Sequence, residues 1–125
     1  MHRTRSRTRA ELAHAHGLSN VLGGAWPLLH MRSFEAVLGP KTDRWLVRTV
    51  AGLLVANGVV QLRATGPAEV RQAARIGIGT AAVLLLADLR YAVPGRISRM
   101  YLLDAVAEAG WIAAWLRSDR RWLGH

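Results

Sequence analysis

Ionisable side chains recur at helical spacing in the last apolar segment of the chain. Tyr101, Asp104, Glu108, Trp111 and Trp115 follow one another at intervals of three and four residues, which places all five on one helix face. Carboxyl groups inside an apolar helix bind cations, accept hydrogen bonds or transfer protons. The pattern therefore predicts a polar stripe whose carboxyl groups cost free energy to bury. Such groups either fix the packing of the helices or take part in function.

The preceding apolar segment offers a matching stripe of Gly77, Ala81, Leu84, Asp88 and Tyr91. Small residues on such a stripe let two helices approach closely, as packing inside membranes favours. We therefore expect the two stripes to face each other and Asp88 to join the acids of the last segment.

A third polar group lies in residues 30–48, between the first two apolar segments. His30, Arg32 and Glu35 precede a Gly-Pro pair that stops a helix. Arg32 and Glu35 are three residues apart and close enough to pair. His30 is a weak candidate for acid–base chemistry near neutral pH.

Arg48 is the base expected to meet these acids. A charge near the centre of a membrane helix costs about 2.5–3.5 kcal/mol. Glu108, the deepest acid, is therefore expected either to pair with Arg48 or to stay protonated. The predicted ligand-binding residues are His30, Arg32, Glu35, Arg48, Asp88, Tyr101, Asp104 and Glu108. An ion-pair network that only fixes helix register is the equally weighted alternative.

Composition points to a membrane rather than to nucleic acid. The chain has 125 residues, 51% of them hydrophobic, and a net charge of +9. A basic soluble domain clusters its bases on one face, whereas here the bases, 16 Arg and one Lys, punctuate apolar runs. Residues 49–60 and 76–87 carry no charge and, when extended, approach the roughly 20 residues that span a bilayer. Buried helices of a soluble α-domain are the alternative, and nucleic-acid binding is disfavoured.

The elements that position these residues are expected to form an all-α, integral membrane, four-helix up-down bundle. It is a single domain, residues 1–125. Transmembrane helices are predicted at about 11–39, 43–62, 70–93 and 98–116, between a basic cytoplasmic arm at 1–10 and a basic tail at 117–125. Pro27 is expected to kink the first helix, and Thr42 or Asp43 to cap the second.

The distribution of bases predicts the orientation. With both termini inside, the cytoplasmic portions hold ten Arg and the outer connections, taken without Arg48 and Arg90, hold five bases, which fits the positive-inside rule. Arg- and Ala-rich usage suggests a GC-rich bacterial genome, so we expect a bacterial cytoplasmic (inner) membrane. Five of the eight acids then fall in the outer half of the bilayer, and the inner half is expected to contribute mainly Asn57.

Other chemistry finds little support in the sequence. The absence of cysteine excludes disulfides, thiolate metal sites and Cys nucleophiles. His14 and His16 are two residues apart, so they do not share a helix face, and we expect both in an exposed arm. No metal and no cofactor is predicted, and Trp26, Trp111 and Trp115 are interpreted as packing residues.

The segment SFEAVLGPKTDRWLVRTV, residues 33–50, resembles an uncharacterised family of small bacterial four-helix membrane proteins. Asp88 and the start of the last helix, Tyr101 to Ala105, are also similar to that family. In architecture the chain looks like DoxX-like proteins and, more distantly, the sterol-isomerase and sigma-2-receptor group. That group binds lipophilic amines or sterols, but no site residue is transferred from it.

The sequence as a whole predicts a polar, acid-lined cavity in the outer half of the bilayer, binding a small amphipathic or charged ligand or a lipid headgroup. One alternative is a structural subunit, in a homo-oligomer or a larger membrane complex, and another an intramembrane isomerase or hydrolase using Glu108 or Asp104 with His30. An enzyme is the less favoured class. A cavity of about 300 Å³ or more beside Asp104 and Glu108 would favour binding or catalysis, whereas direct Arg–carboxylate contacts would favour the structural role.

Overall fold

A computed structural model describes residues 2–95 and 97–123, with side chains for residues 8–95 and 97–118. These residues form five α-helices and no strand, so the all-α prediction is confirmed. The helices are α1 His2–Leu29, α2 Met31–Leu38, α3 Arg44–Leu62, α4 Pro67–Ala92 and α5 Tyr101–Leu123.

The four long helices alternate in direction. The most extensive packing is between α1 and α3 and between α4 and α5. Gly17 of α1 lies against Gly58 of α3, and Gly24 lies against Ala51. Rising residue numbers on α1 thus meet falling numbers on α3, which makes the pair antiparallel. The short helix α2 sits between them in the chain.

The first predicted helix, residues 11–39, is two helices, which corrects the predicted count of four. Pro27 lies inside α1, and the helix ends two residues later, where His30 takes the non-helical backbone angles φ −149° and ψ 79°. His30 then starts α2, where its Nδ1 accepts a hydrogen bond of 3.2 Å from the amide of Ser33. Gly39 ends α2 with a positive φ of 95°, a conformation that glycine adopts without a steric penalty.

The predicted arm and tail are helical, which is a second correction. α1 begins at His2, so nearly all of the predicted arm at residues 1–10 belongs to it, and α5 continues past residue 116 to Leu123. Arg9 is buried, with its guanidinium 6.0 Å from the ring centroid of Trp115. The long aliphatic stem of arginine allows such packing of a base on apolar surface. Met1, Gly124 and His125 lie outside the described residues.

The other helix boundaries differ from the prediction by one to three residues. α3 begins after Asp43, which occupies the predicted capping position but makes no side-chain capping hydrogen bond. α4 begins at Pro67, three residues earlier than predicted, with proline in the first turn, where its missing amide costs nothing. α5 begins at Tyr101 instead of residue 98.

One end of the bundle is filled by small side chains. Five of the six residues of the buried core are small or aliphatic, and the sixth is an aromatic that reaches in from α5. They are Ala13, Ala64, Val70, Ala73, Ala74 and Trp115. Small residues bring the helix backbones close together. This closed end contains the α3–α4 connection, and the opposite end contains the α2–α3 and α4–α5 connections.

Two helices within the described residues, α3 and α4, have the length and hydropathy needed to cross a membrane. Only 17% of the apolar window in α3 and 28% of that in α4 is buried inside the bundle. By length and composition the structure thus supplies two candidate spans, compared with the four predicted.

Candidate functional site

A cavity of about 490 Å³ opens between the long helices and α2. Its polar side chains come from α1 and α5. They are Ser19, Asn20, Tyr101, Asp104 and Glu108. No Lys, Arg or His side chain is among its described lining residues. The cavity is larger than the roughly 300 Å³ expected of a ligand-binding site. Its described lining residues include two carboxylic acids and no basic side chain.

The remaining walls of this cavity are apolar and aromatic. Trp26 and Phe34 meet edge to face, with ring centroids 5.3 Å apart and planes at 82°, a favoured aromatic geometry. The indole N–H of Trp26 donates a 2.9 Å hydrogen bond to Ser33 Oγ, which holds its ring in place. Leu54 and Leu84 line the wall contributed by α3 and α4.

Asp104 is the centre of a three-carboxyl cluster. Its side chain is in hydrogen-bond contact with Asp88 of α4 and with Glu108, one turn along α5. Asp88 is 4% exposed and Glu108 is 6% exposed. Asp88 Oδ2 and Glu108 Oε1 have no hydrogen-bond partner. The stripes of α4 and α5 therefore face each other as predicted, and they bring the three acids together.

The base expected for this cluster is elsewhere. Arg48 is exposed on α3, and the predicted pairing of Glu108 with Arg48 is wrong because Arg48 lies on the outer face of its helix. The predicted pair of Arg32 with Glu35 is also wrong. Glu35 Oε1 instead accepts a 2.8 Å ion pair from Arg44 Nη2, because the turn at Gly39-Pro40 brings the first residue of α3 beneath α2.

Glu35 organises the connection between α2 and α3. Its Oε2 accepts a 2.7 Å hydrogen bond from the backbone N–H of Lys41. That hydrogen bond, followed by the charge and hydrogen bond of Arg44, lowers the pKa of Glu35, while partial burial opposes the shift. Glu35 thus binds both the backbone of the connector, at Lys41, and the first residue of α3, Arg44.

Lys41 lies over the mouth of the cavity. Its Nζ is 4.6 Å from the ring centroid of Tyr101 and 5.9 Å from that of Phe34, and it donates a 3.0 Å hydrogen bond to the Leu38 carbonyl. Burial lowers the pKa of Lys41, and the charge of Glu35 opposes that shift. Both aromatic rings also line the cavity. The ammonium group of Lys41 therefore shows that these two rings can contact a cation.

A second, wider cleft of about 830 Å³ separates the α2–α3 connection from the α4–α5 connection. Leu38 and Val47 line both this cleft and the acid-lined cavity. The two spaces therefore adjoin at these side chains.

The eight predicted site residues fall into three groups. Tyr101, Asp104 and Glu108 line the cavity, and Asp88 contacts Asp104 from α4. Glu35 lies at the connector over the cavity mouth. His30, Arg32 and Arg48 are exposed and line neither space. His30 instead makes a 2.8 Å hydrogen bond with Ser33 Oγ.

A buried polar cluster centred on His16 was not predicted from the sequence. His16 Nδ1 accepts hydrogen bonds from Trp115 Nε1 at 3.0 Å and from Gln61 Nε2 at 3.2 Å. Trp111 stacks on the imidazole, with ring centroids 4.5 Å apart. Asn20 Nδ2 donates to Gln61 Oε1 at 2.7 Å, which links this cluster to the cavity wall.

The prediction that His14 and His16 lie in an exposed arm is therefore wrong. His14 Nε2 contacts the Ala64 carbonyl at 2.9 Å, and His16 is fully buried. The i,i+4 spacing of His16 and Asn20 was the available signal, because it places both on one face of α1. The polar groups buried between the helices thus include more than Asn57, which donates a 3.1 Å hydrogen bond to Thr80 of α4.

Comparisons of the chain with family models, curated proteins and solved structures return no match. Among the described residues, no group of three or more His, Cys, Asp or Glu side chains is arranged to hold a metal ion. The geometry of the cavity is therefore the basis for assigning a function.

Proposed function

We propose that this chain is a multi-pass protein of a bacterial inner membrane whose cavity binds a small organic cation with an apolar body. The observation that carries the proposal is the cavity of about 490 Å³ lined by Asp104 and Glu108 without a basic side chain among its described residues. Its spans are α1, α3, α4 and α5, with both termini in the cytoplasm.

Apolar side chains exposed on the outer faces of the helices support the membrane location. A water-soluble domain rarely exposes a large continuous apolar surface, whereas lipid tails solvate one. Each of the four long helices contributes to this surface, and the side chains named next are between 50% and 72% exposed. Examples are Leu18, Leu22, Leu53, Val60, Val83, Leu86, Leu103 and Val106.

Single-cysteine labelling tests the topology without background, because the chain contains no cysteine. Thr42 lies in the α2–α3 connection and Thr65 in the α3–α4 connection, and both are exposed. We expect Thr42→Cys to react with a membrane-impermeant maleimide in intact spheroplasts, and Thr65→Cys to react only after permeabilisation. Equal labelling of both variants in intact spheroplasts, or recovery of the protein in the soluble fraction, would overturn the membrane proposal.

The cavity lining indicates the chemistry of the ligand. Two carboxyl groups at the wall and a third in contact with them supply negative charge. Trp26, Phe34 and Tyr101 add aromatic faces, which attract ammonium groups. The aliphatic walls match an apolar body. A cation of this class satisfies both parts of the cavity, whereas an anion would meet the acids without a compensating base.

Binding of benzyltrimethylammonium to the purified protein in detergent tests this assignment. We expect Glu108→Gln and Asp104→Asn each to weaken binding by about 30-fold or more, which corresponds to about 2 kcal/mol for losing a buried charge partner. Glu11→Gln is the matched control because Glu11 is exposed on α1, away from the cavity. It is expected to bind as the wild type does.

The uncharged isostere neopentylbenzene separates charge recognition from hydrophobic partition. It is expected to bind more weakly than the cation, with no dependence on Glu108. Equal binding of both compounds, or a Glu108→Gln variant that binds the cation unchanged, would contradict the proposal.

The alternative functions receive less support from these contacts. A structural role predicted direct Arg–carboxylate contacts, yet the ion pair described between Arg44 and Glu35 lies outside the cavity. An isomerase or hydrolase using Glu108 or Asp104 needs His30 beside them, but the His30 ring contacts Ser33 outside the cavity wall.

A further inference from the structure

The contacts within the carboxyl cluster have a chemical requirement. Asp104 is in hydrogen-bond contact with both Asp88 and Glu108. Two carboxylate anions repel each other, and a hydrogen bond between carboxyl groups needs a proton on one of them. At least one of the three carboxyl groups must therefore carry a proton when no other positive charge lies beside them.

Among the described residues, no Lys, Arg or His side chain lines the cavity beside the acids and could replace such a proton. From α5, Tyr101 contributes a phenol near the acids. From α1, the cavity-facing group is the amide of Asn20, and the nearest titratable group, His16, lies one turn away and already accepts two hydrogen bonds. The basic group closest to the mouth, Lys41, lies over the Tyr101 ring.

The other basic side chains described near this end are paired or exposed, and one of them, Arg99, lines the adjoining cleft. Arg44 pairs with Glu35 on the connector. Arg48 of α3 and Arg90 of α4 are exposed, and Arg90 lies over the ring of Tyr91, 5.5 Å from its centroid. The α3 part of the cavity wall is aliphatic, formed by residues such as Val50 and Leu54. A positive charge in this cavity must therefore be a proton or a ligand.

We propose that the cavity is an exchange site in which an organic cation displaces a proton from the Asp88–Asp104–Glu108 cluster. The inference rests on the proposed cation binding and adds its coupling to protons. On binding, a carboxyl O–H bond breaks, its electron pair stays on the oxygen as carboxylate, and the proton passes to water. The carboxylate then pairs with the ligand cation, so charge in the cavity is conserved.

The exchange sets the direction of the pH dependence. Because protons and the cation compete for the same oxygens, affinity rises with pH wherever the cluster is protonated. Release of one proton per cation corresponds to about a tenfold gain in affinity per pH unit. Benzyltrimethylammonium has a permanent charge, so any such dependence arises from the protein.

Isothermal titration calorimetry of the full chain in detergent, repeated in phosphate and in Tris at equal pH, measures the protons released. We expect about one proton per bound cation and an affinity that rises between about pH 6 and pH 8. Binding with the same affinity across this range and without proton release would overturn the exchange but leave cation binding standing. Absence of binding at every pH would instead reject the underlying proposed function.

Asp88→Asn sharpens the test because Asp88 contacts Asp104 from behind the cavity lining. The amide of asparagine donates the hydrogen bond that a proton otherwise supplies. We expect this variant to release fewer protons per bound cation than the wild type. At about pH 6 it should bind the cation several-fold more tightly than the wild type, so its affinity should depend less on pH. Glu11→Gln is the control and should retain the wild-type profile. A wild-type profile in Asp88→Asn would contradict the assigned role of the cluster.

Discussion

Gly77→Ala is expected to destabilise the protein by about 2–3 kcal/mol, although alanine is the better helix former. A Cβ atom at Gly77 would lie 2.6 Å from Gln61 Nε2, 2.9 Å from His16 Nδ1 and 3.0 Å from Trp115 Nε1. These are the atoms that hold the His16 cluster together. The methyl group would therefore separate hydrogen-bonded partners as well as overpack the helices, and each lost hydrogen bond costs about 1 kcal/mol.

Gly79→Ala is the matched control on the same helix. Nothing lies within 4 Å of a Cβ at Gly79, so the substitution is expected to be neutral or to stabilise by up to about 1 kcal/mol. Unfolding of both variants in detergent, followed by far-UV circular dichroism, gives the comparison. Equal stability of the two variants would show that the His16 cluster does not constrain the approach of α4.

The meeting of α4 and α5 was predictable because the pattern on both helices is strong. Asp104, Glu108, Trp111 and Trp115 keep a three-and-four spacing, and only one helix face satisfies it. The small residues of α4 define the complementary face. Periodicity therefore sufficed to bring Asp88 to the acids of α5, and to place their cluster at the end with the two connectors.

The rotation of α3 was not predictable from the same kind of pattern. α3 is apolar on nearly every face, so periodicity does not say which way Arg48 points. In the structure, the small residues Ala51 and Gly58 of α3 lie against Gly24 and Gly17 of α1. Arg48 consequently lies outside, and the base expected among the acids is absent from the described cavity wall. The composition of the site, acid without base, is thus a product of α3 packing.

The His16 cluster escaped prediction for a different reason. The bases of residues 1–10 predict an arm outside the bundle, and the two-residue spacing of His14 and His16 gives no sign of a buried helix face. α1 instead runs from His2, which brings His16 opposite Gln61 and Trp115. Partners 45 and 99 residues away decide the burial of this histidine, and local pattern does not reveal contacts at such separations.

Gly58→Ala is expected to destabilise the protein by about 3 kcal/mol, the upper end of the range for Gly77→Ala, because its Cβ meets backbone atoms. A Cβ at Gly58 would lie 2.6 Å from the Gly17 carbonyl oxygen and 2.9 Å from the Val21 amide nitrogen. Side chains can change rotamer to relieve such contacts, but the backbone of α1 cannot move without displacing the whole helix.

A second close contact between α1 and α3 lies seven residues along each helix, so the effect of Gly58→Ala is expected to extend to it. A Cβ at Gly24 would lie 2.5 Å from the Ala51 carbonyl oxygen. Seven residues separate Gly17 from Gly24 on one helix, and Gly58 from Ala51 on the other. The two close contacts lie in register along the nearly antiparallel helices. A substitution that separates the helices at Gly58 is therefore expected to loosen the contact between Gly24 and Ala51 as well, and these two residues line the cavity.

Gly52→Ala is the control for Gly58→Ala, because it lies on α3 with nothing within 4 Å of its Cβ. We expect Gly58→Ala to lower the unfolding free energy and to weaken binding of benzyltrimethylammonium, since Gly24 and Ala51 line the cavity. Gly52→Ala should leave binding unchanged and should be neutral or stabilise by up to about 1 kcal/mol. The reciprocal variant Gly17→Ala fills the same gap, so combining it with Gly58→Ala should cost less than the two single effects added. Strict additivity in that double-variant cycle would contradict a shared contact between the two glycines.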